Sequence, residues 1–527
     1  MRKLLSLIIF TLVVYAGVLG KKTNNPDAQF TLPALFDVQT PLDYLVMLRD
    51  FQVIDFQPVR DLTFFIDLAI YRATGIVTFA TINVLLWGIA CFLLLKLLER
   101  TVPDHKKNTA IFWVLTFAAY PLFSQAVPWG MARKHILAFP IFLACTHAFL
   151  DWLEGKTSWL KVYILYVAAT LSHPLTLLWP LWAAFHYRVS GKEITRESKK
   201  ILTIFSVTTI SLLFTHFAYY TVGNNLVKDI FPEVSPDLSN ASRIIQNIGF
   251  YLRQIVFPYE LGFLYYPTWG NAWPGLIVLA AFIFFIYRER KDQQFLSWTL
   301  YGLIPVPIFL ALPGVFDQYL LIPVAAILLI AFRKWNTGSR LQIAALLTLT
   351  LIWGVLTFRE ARLWTNSPAL ADRNFQNAPS CRSALNLGLM SYTEGKRLSR
   401  ETLKFLEEGR CFETSGQPEG AKRGVQFVEA LMIFYEADLF GRDVRISRLE
   451  QLGRSHYYPN LILAALLATE DRAPEVEQLA EFLLERTGGV SLDTGPVVDD
   501  VLRPYCLKNN LESCLKVTIP QGLPGYL

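Results

Sequence analysis

Apolar residues along this 527-residue chain gather into long runs, separated by short stretches rich in charge, Pro or Gly. A run of about 20 apolar residues matches the hydrocarbon thickness of a bilayer, whereas a soluble helix is apolar on one stripe only. The runs predict about eleven spanning helices: Leu4–Gly20, then 78–98, 109–127, 133–151, 159–175, 174–187, 201–220, 274–287, 296–313, 317–332 and 341–358. The fifth and sixth meet at Ser172-His173-Pro174 and read as one broken pair. The first follows Met1-Arg2-Lys3, as a signal peptide would. Its sequel YAGVLGKK is a poor small-residue cleavage site, so the helix is expected to stay.

Two regions carry a different pattern. Residues 41–72 are too charged to span and too apolar to float free, which predicts an amphipathic element on the membrane surface. After residue 358 the hydrophobics recur at helical spacing with Gly, Pro and charges between them. The stretches 380–409, 425–442, 458–472 and 473–488 read as helices, and a short α-solenoid of helix pairs is the expected tail. The predicted fold is all-α: a polytopic bundle over 1–358, with 21–77 as its first outside loop, and a tetratricopeptide-like domain over 359–527.

Composition sharpens this. Hydrophobic residues make up 53% and charged residues 17% of the chain, against about 25% charged in soluble domains. With a mean hydropathy of +0.35, the chain is no disordered, collagenous or disulfide-miniprotein sequence, and no ordinary soluble enzyme. The net charge of +6 implies no nucleic-acid partner. Eleven spans put Arg100/Lys106/Lys107, Lys156/Lys161, Arg188 to Lys200, Arg288/Arg290/Lys291 and Arg333/Lys334/Arg340 on one side. That side is cytoplasmic by the positive-inside rule. The N-terminus is then cytoplasmic, and 21–77, 221–273 and the tail lie outside. The expected location is a bacterial inner membrane with a periplasmic tail, or a lumenal tail in a eukaryote.

Six cysteines divide between these regions. Cys91 and Cys145 sit in apolar spans as packing residues. Cys381, Cys411, Cys506 and Cys514 lie in the outside tail, where four thiols suggest two disulfides. Three connectivities are open, of which 381–411 with 506–514 is preferred. Neither the spacing nor nearby histidines suit a metal site, and no residue is assigned as a metal ligand.

No phosphate-cradling Gly loop, nucleophile elbow or zinc-helix motif occurs. Five segments in register carry a resemblance instead: FQPVRDLTFFID (56–67), NVLL (83–86), YPLFSQAVPWGMARKHILA (120–138), FDQYLLIP (316–323) and the stretch 363–396. With them the chain resembles the membrane O-mannosyltransferase-like family that joins a multi-span bundle to tetratricopeptide repeats, within the C-type glycosyltransferase superfamily. The resemblance implies a polyprenyl-phosphate sugar donor and an acid of the first outside loop that deprotonates the acceptor hydroxyl or orients a metal. It also implies basic groups at the membrane edge on the lipid phosphate, and a tail that binds an acceptor or partner protein.

The departures fall on polar positions. The acid pair expected after the first span is reduced to Asp27, with Asp37, Asp43, Asp50, Asp55 and Asp61 elsewhere in the loop. Gln57, Tyr120, Phe123, Gln125 and Gln318 stand where the family has charged or imidazole groups. Pro58, Thr63, Phe64, Asn83, Pro121, Trp129, Tyr319 and Pro323 are retained and read as fold-holding residues. Candidate roles follow: Asp27 as base, Arg133, Lys134 and His135 on the donor phosphate, and Gln57, Gln125, Asp317 and Gln318 around the cavity. The plain alternatives are a solvated loop acid for Asp27, interfacial anchors for the basic trio, and a satisfied histidine beside a proline kink for His173. Tyr259, Glu260, Tyr265 and Tyr266 resemble a loop over that cavity, and as interfacial aromatics they read first as anchors. No cofactor is specified, and a divalent cation stays open on the thin basis of one Asp.

The expected function is transfer of a sugar from polyprenyl phosphate to an acceptor on the outer face, with membrane lipid as surroundings. The alternative is a catalytically degenerate scaffold whose tail binds a protein. A sugar-polymer ligase is disfavoured, because 221–273 holds only Arg243 and Arg253 among its arginines and no His.

Overall fold

A computed structural model of the chain describes residues 2–23, 40–49, 56–193, 195–230, 241–258, 269–306, 316–377, 442–453, 457–487 and 501–518, with isolated positions between them. Asp27, Asp37, Asp50, Asp55, Tyr259, Glu260, Tyr266, Cys381 and Cys411 lie outside the described residues. Most of the predicted helices over 380–441 lie outside them too. The described elements are helical, with no strand among the described residues. Contacts divide the chain into two units, one of Met1–Asn25, Leu42–Lys228 and Val234–Asn366, and one of Pro26–Pro41, Asp229–Glu233 and Ser367–Leu527.

The first unit contains α1 (Arg2–Val14), α2 (Pro41–Arg49), α3 (Pro58–Thr74), α4 (Phe79–Thr101), α5 (Ala110–Ala118), α6 (Arg133–Leu153), α7 (Trp159–Ser172) and α8 (Trp179–Val189). It continues with α9 (Arg196–Ile230), α10 (Ala241–Val256), α11 (Trp269–Glu289), α12 (Gln293–Leu303), α13 (Leu321–Trp335) and α14 (Arg340–Leu363). Each predicted span overlaps one of these helices, in whole or in part, and 307–313 of the span 296–313 lie outside the described residues. Among the described residues six helices are long and apolar enough to cross a membrane: Phe79–Thr101, Gly130–Leu153, Arg196–Tyr219, Ala272–Glu289, Asp317–Trp335 and Arg340–Leu363. The chain is therefore membrane-associated. The other five expected spans coincide with shorter helices, such as the 13 residues of α1 and the 9 of α5. Residue 120 starts a new 3-10 turn, because Pro121 cannot continue the α5 ladder. The break at Ser172-His173-Pro174 is present: α7 stops, His173 is extended, and 174–176 form a 3-10 turn before α8.

Local chemistry sets the helix ends. Ser158, Asp292 and Ser339 accept from the backbone N–H of Leu160 (3.0 Å), Phe295 (2.9 Å) and Gln342 (3.2 Å), capping α7, α12 and α14. Gly75 closes α3 with φ +71°, a left-handed cap that donates to the Tyr71 carbonyl at 2.7 Å. α14 runs on to Leu363, past the end of its apolar stretch, because the charges of TFREARL end hydropathy and not helix. The unit that contains α14 ends at Asn366.

Inside the bundle, hydroxyls tie helices together where hydrophobic contrast with lipid is absent. Thr116 meets Thr350 at 2.8 Å, Thr357 donates to the Ala119 carbonyl at 2.7 Å, and His186 Nδ1 meets Ser297 at 2.7 Å. At the basic ends, Arg100 pairs with Asp151 (2.7 Å) and Glu154, and Lys334 with Glu289 (2.6 Å) and Asp292 (2.8 Å). These bonds gather the ends of α4 with α6 and of α11, α12 and α13 with one another. α4, α6 and α13 are mostly enclosed, whereas α9, α11 and α14 expose apolar faces that include Phe214, Phe284 and Leu351. α10 and α11 approach backbone to backbone. A Cβ on Gly275 would overlap the Gly249 carbonyl and come within 2.8 Å of the Arg253 nitrogen.

The second unit contains α15 (Ser367–Asn377), α16 (Arg442–Gly453), α17 (Tyr457–Thr469), α18 (Ala473–Thr487), α19 (Arg503–Asn509) and α20 (Glu512–Thr518). Its core comprises Leu449, the run Leu461–Ala468, Val476, Leu483, Leu502, Cys506 and Cys514. α17 is buried along that whole run, between α16 and α18. Cys506 and Cys514 form a disulfide, as the preferred pairing expected. Glu477 of α18 accepts from the Ser513 (2.8 Å) and Cys514 (3.1 Å) nitrogens, capping α20.

Two outcomes follow. Gly275→Ala is expected to cost about 1–3 kcal/mol by forcing α10 and α11 apart, read as a lowered midpoint of thermal unfolding in detergent. Cys506→Ser is expected to destabilise the tail by about 2–3 kcal/mol, and peptide mapping without reductant should recover the 506–514 pair in the parent chain.

Candidate functional site

The polar interior begins on α3. Arg60, Phe64 and Asp67 recur at helical spacing, with Asp61 and Leu68 beside them, and all five are buried. Leu62 and Ile66 point outward at 57% and 55% exposure, and Leu42 and Leu45 do the same on α2. α3 is amphipathic as expected, but inside out: Arg60, Asp61 and Asp67 face the bundle and hydrocarbon faces away, whereas α2 buries Met47 and Leu48 and exposes Asp43 and Arg49. A soluble protein would do the reverse, so the environment of this face is itself apolar.

Two ion pairs occupy that interior. Arg60 binds Asp61 through Nε (2.8 Å) and Nη2 (2.6 Å) and donates to Gln57 Oε1 at 3.0 Å. The Tyr44 hydroxyl donates to the other Asp61 oxygen at 3.1 Å. Burial, then the Asp61 carboxylate, push the Tyr44 phenol up, so it stays a donor. The second pair is Arg133 with Asp67 at 2.8 Å, both fully buried. Arg133 also donates to Thr63 (3.2 Å), to the Phe79 carbonyl (2.9 Å) and to Asn83. Asn83 in turn donates to the Trp129 carbonyl at 2.9 Å, and Thr78 donates to Asp67 at 2.6 Å. The Arg133 guanidinium lies 5.3 Å from the Phe64 ring centre. Thr63, Phe64, Asn83 and Trp129 thus do the fold-holding work expected of them.

Arg133 is the first of the three basic residues expected on a donor phosphate. Its donors are engaged by protein acceptors, so it positions the first turn of α6 rather than presenting a free guanidinium. Lys134 is half-buried on that turn. His135 is buried, and neither ring nitrogen has a hydrogen-bond partner. Its ring lies 4.1 Å from that of His173 and 5.1 Å, edge to face, from Tyr319. His173 Nδ1 accepts from the Leu175 N–H at 3.1 Å, the satisfied histidine beside a proline kink that the sequence suggested.

Gln125 and Asp317-Gln318 lie on 3-10 turns that touch, while Gln57 precedes α3 and accepts from Arg60. Gln57, Gln125, Asp317 and Gln318 are all buried. Asp317 accepts from the Tyr265 hydroxyl at 2.8 Å through Oδ2, and its Oδ1 has no hydrogen-bond partner. Burial, then Asp317, push the Tyr265 phenol up and keep it protonated. Gln125 donates to Ser124 at 3.3 Å and leaves its oxygen without a partner. Trp129 stacks between Phe316 (6.5 Å) and Trp364 (5.9 Å), and Tyr251 accepts from the Phe316 N–H at 3.2 Å. Tyr120 donates to the Gln254 carbonyl at 3.2 Å, and Phe123 packs on Trp87. Neither replaces an imidazole in function. Asp67 and Arg60 were missed as site residues, although the recurrence of charge at 60, 61 and 67 around Phe64 was a readable sign of an inward polar face.

No group of three or more His, Cys, Asp or Glu side chains suited to a metal ion occurs among the described residues. No family model, curated protein or solved structure matches the chain.

Breaking the deep pair leaves an uncompensated charge. Asp67→Asn and Arg133→Gln are each expected to cost about 3–5 kcal/mol, with the double variant well short of the sum. Thermal unfolding of the four proteins in one detergent checks this as a double-mutant cycle.

Proposed function

We propose that this chain is a glycosyltransferase-type membrane protein that takes a sugar from a polyprenyl-phosphate donor to an acceptor on the outer face. One observation carries the reading. Arg60, Asp61, Asp67, Arg133, His135 and Asp317 are buried in a bundle whose outward faces are hydrocarbon, and ionisable groups in such a place are expensive and by default functional. The resemblance in five segments supplies the reaction class. In that reaction the acceptor hydroxyl attacks the anomeric carbon, the bond to phosphate breaks, polyprenyl phosphate leaves and the hydroxyl proton passes to an acid. Asp27 is the acid expected from the sequence. Among the described acids, Asp317 joins burial to an open carboxylate oxygen, and it takes that role in this proposal. Arg133 acts as a positioning residue that holds Lys134 and His135, the remaining candidates for the donor phosphate. An eleven-span topology with the tail outside, and tail helix pairs that bind the acceptor protein, belong to the same proposal.

A second reading has its own support. Arg133 with Asp67, and Arg60 with Asp61, are mutually compensated, as in a repurposed bundle that only anchors the tail. The two separate in nanodiscs supplied with a panel of polyprenyl-phosphate hexoses and a pool of secreted acceptor proteins. The enzyme reading expects transfer, reduced about 10²–10⁴-fold by Asp317→Asn. Absence of transfer from every donor, while the tail still crosslinks a protein, leaves the scaffold.

A further inference from the structure

At the other end of α6, helices α6 to α9 enclose a groove whose lining includes Trp152, Trp159, Val162, Trp179, Tyr187 and Phe205. It encloses about 440 Å³ of empty space, counting its open mouth. Trp152 stacks on Tyr187 at 5.7 Å between rings, and Trp159 meets Tyr163 at 6.3 Å. Such a girdle of Trp and Tyr at helix ends marks headgroup depth in a membrane protein.

Charge at this end is one-sided. Lys161, Lys199 and Lys200 neighbour lining residues in sequence and stand on adjoining faces of α7 and α9, about 100° round the helix from Val162, Ser198 and Ile201, from where long side chains reach the groove's mouth. Over 158–200 there are six cations, Lys161, Arg188, Lys192, Arg196, Lys199 and Lys200, against Glu193 and Glu197. Lys161, Lys199 and Lys200 are exposed. The nearby acids Asp151 and Glu154 are taken by Arg100 and Lys156.

We propose that this groove binds one anionic phospholipid of the adjacent leaflet. An acyl chain lies along the aromatic lining, and the headgroup phosphate sits against Lys161, Lys199 and Lys200. Hydrocarbon fills a groove with no polar demands, and the uncompensated cations favour a lipid with net negative charge over a zwitterionic one. The site is independent of any transfer activity at the opposite helix ends.

Native mass spectrometry of the full chain in detergent tests this, with equimolar phosphatidylglycerol and phosphatidylethanolamine of matched chains. Phosphatidylglycerol should be retained preferentially. The Lys161→Gln/Lys199→Gln/Lys200→Gln variant should lose that retention by roughly fivefold per lysine, with phosphatidylethanolamine unchanged. Ala183→Phe, which fills the groove, should lower retention of both lipids. Equal retention of the two lipids by the parent chain, or an undiminished preference in the triple-lysine variant, would overturn the proposal. The three lysine substitutions fall on exposed side chains, whereas Ala183 is buried, so folding of the Ala183→Phe variant is checked by its thermal unfolding beside the parent chain.

Discussion

A charge enclosed by apolar chain has to be answered inside the protein, because no water is there to answer it. The Arg133–Asp67 pair meets that demand, and much of the first unit is arranged around it. Taking both groups from water costs several kcal/mol each, and their attraction offsets this only when every remaining donor and lone pair is used. Here Thr63, Thr78, Asn83 and the Phe79 carbonyl use them. The outcome is a geometric lock. It holds α3 and α4 to the first turn of α6, and through Asn83 it holds the Trp129 carbonyl. The placement of His135 follows from that turn, and its unpartnered nitrogens are held where they are by a network that cannot relax to reach them.

The same constraint explains why α3 is turned inside out. When the surroundings are apolar, Leu62 and Ile66 lose nothing by facing outward, while Arg60 and Asp67 gain partners by facing in. Helix association then cannot rely on hydrophobic contrast. It rests on hydroxyl pairs such as Thr116 with Thr350, and on glycine contacts such as Gly275 against Gly249. The tail is held differently. Its leucine-rich α17 lies between α16 and α18, and the 506–514 disulfide fixes two short helices that could not be stable alone.

The buried glutamines take on a physical sense in this setting. Gln125 and Gln318 are neutral and buried, so each avoids the cost of an unpaired charge. Negative charge has not left the region. It stands at Asp61, Asp67 and Asp317, of which the first two have cationic partners and the third has a tyrosine.

The helices were legible in the sequence because each long run of apolar residues has one stable answer in an apolar solvent, a helix with its backbone satisfied within itself. For the same reason the break at Pro174, the amphipathic segment before residue 78 and the 506–514 pairing could be read in advance. Which helices are central and which peripheral could not, since α4 and α14 are about equally apolar and only packing encloses the first. From the sequence Arg133 is expected at the outer membrane edge, against a lipid phosphate. Its partner Asp67 lies 66 positions earlier, and a charge pair over that separation is set by how α3 folds back on α6. Chain chemistry determined that these charges exist in an apolar stretch. Tertiary structure decided whom they meet, because a long-range contact depends on helix crossings that no local pattern encodes.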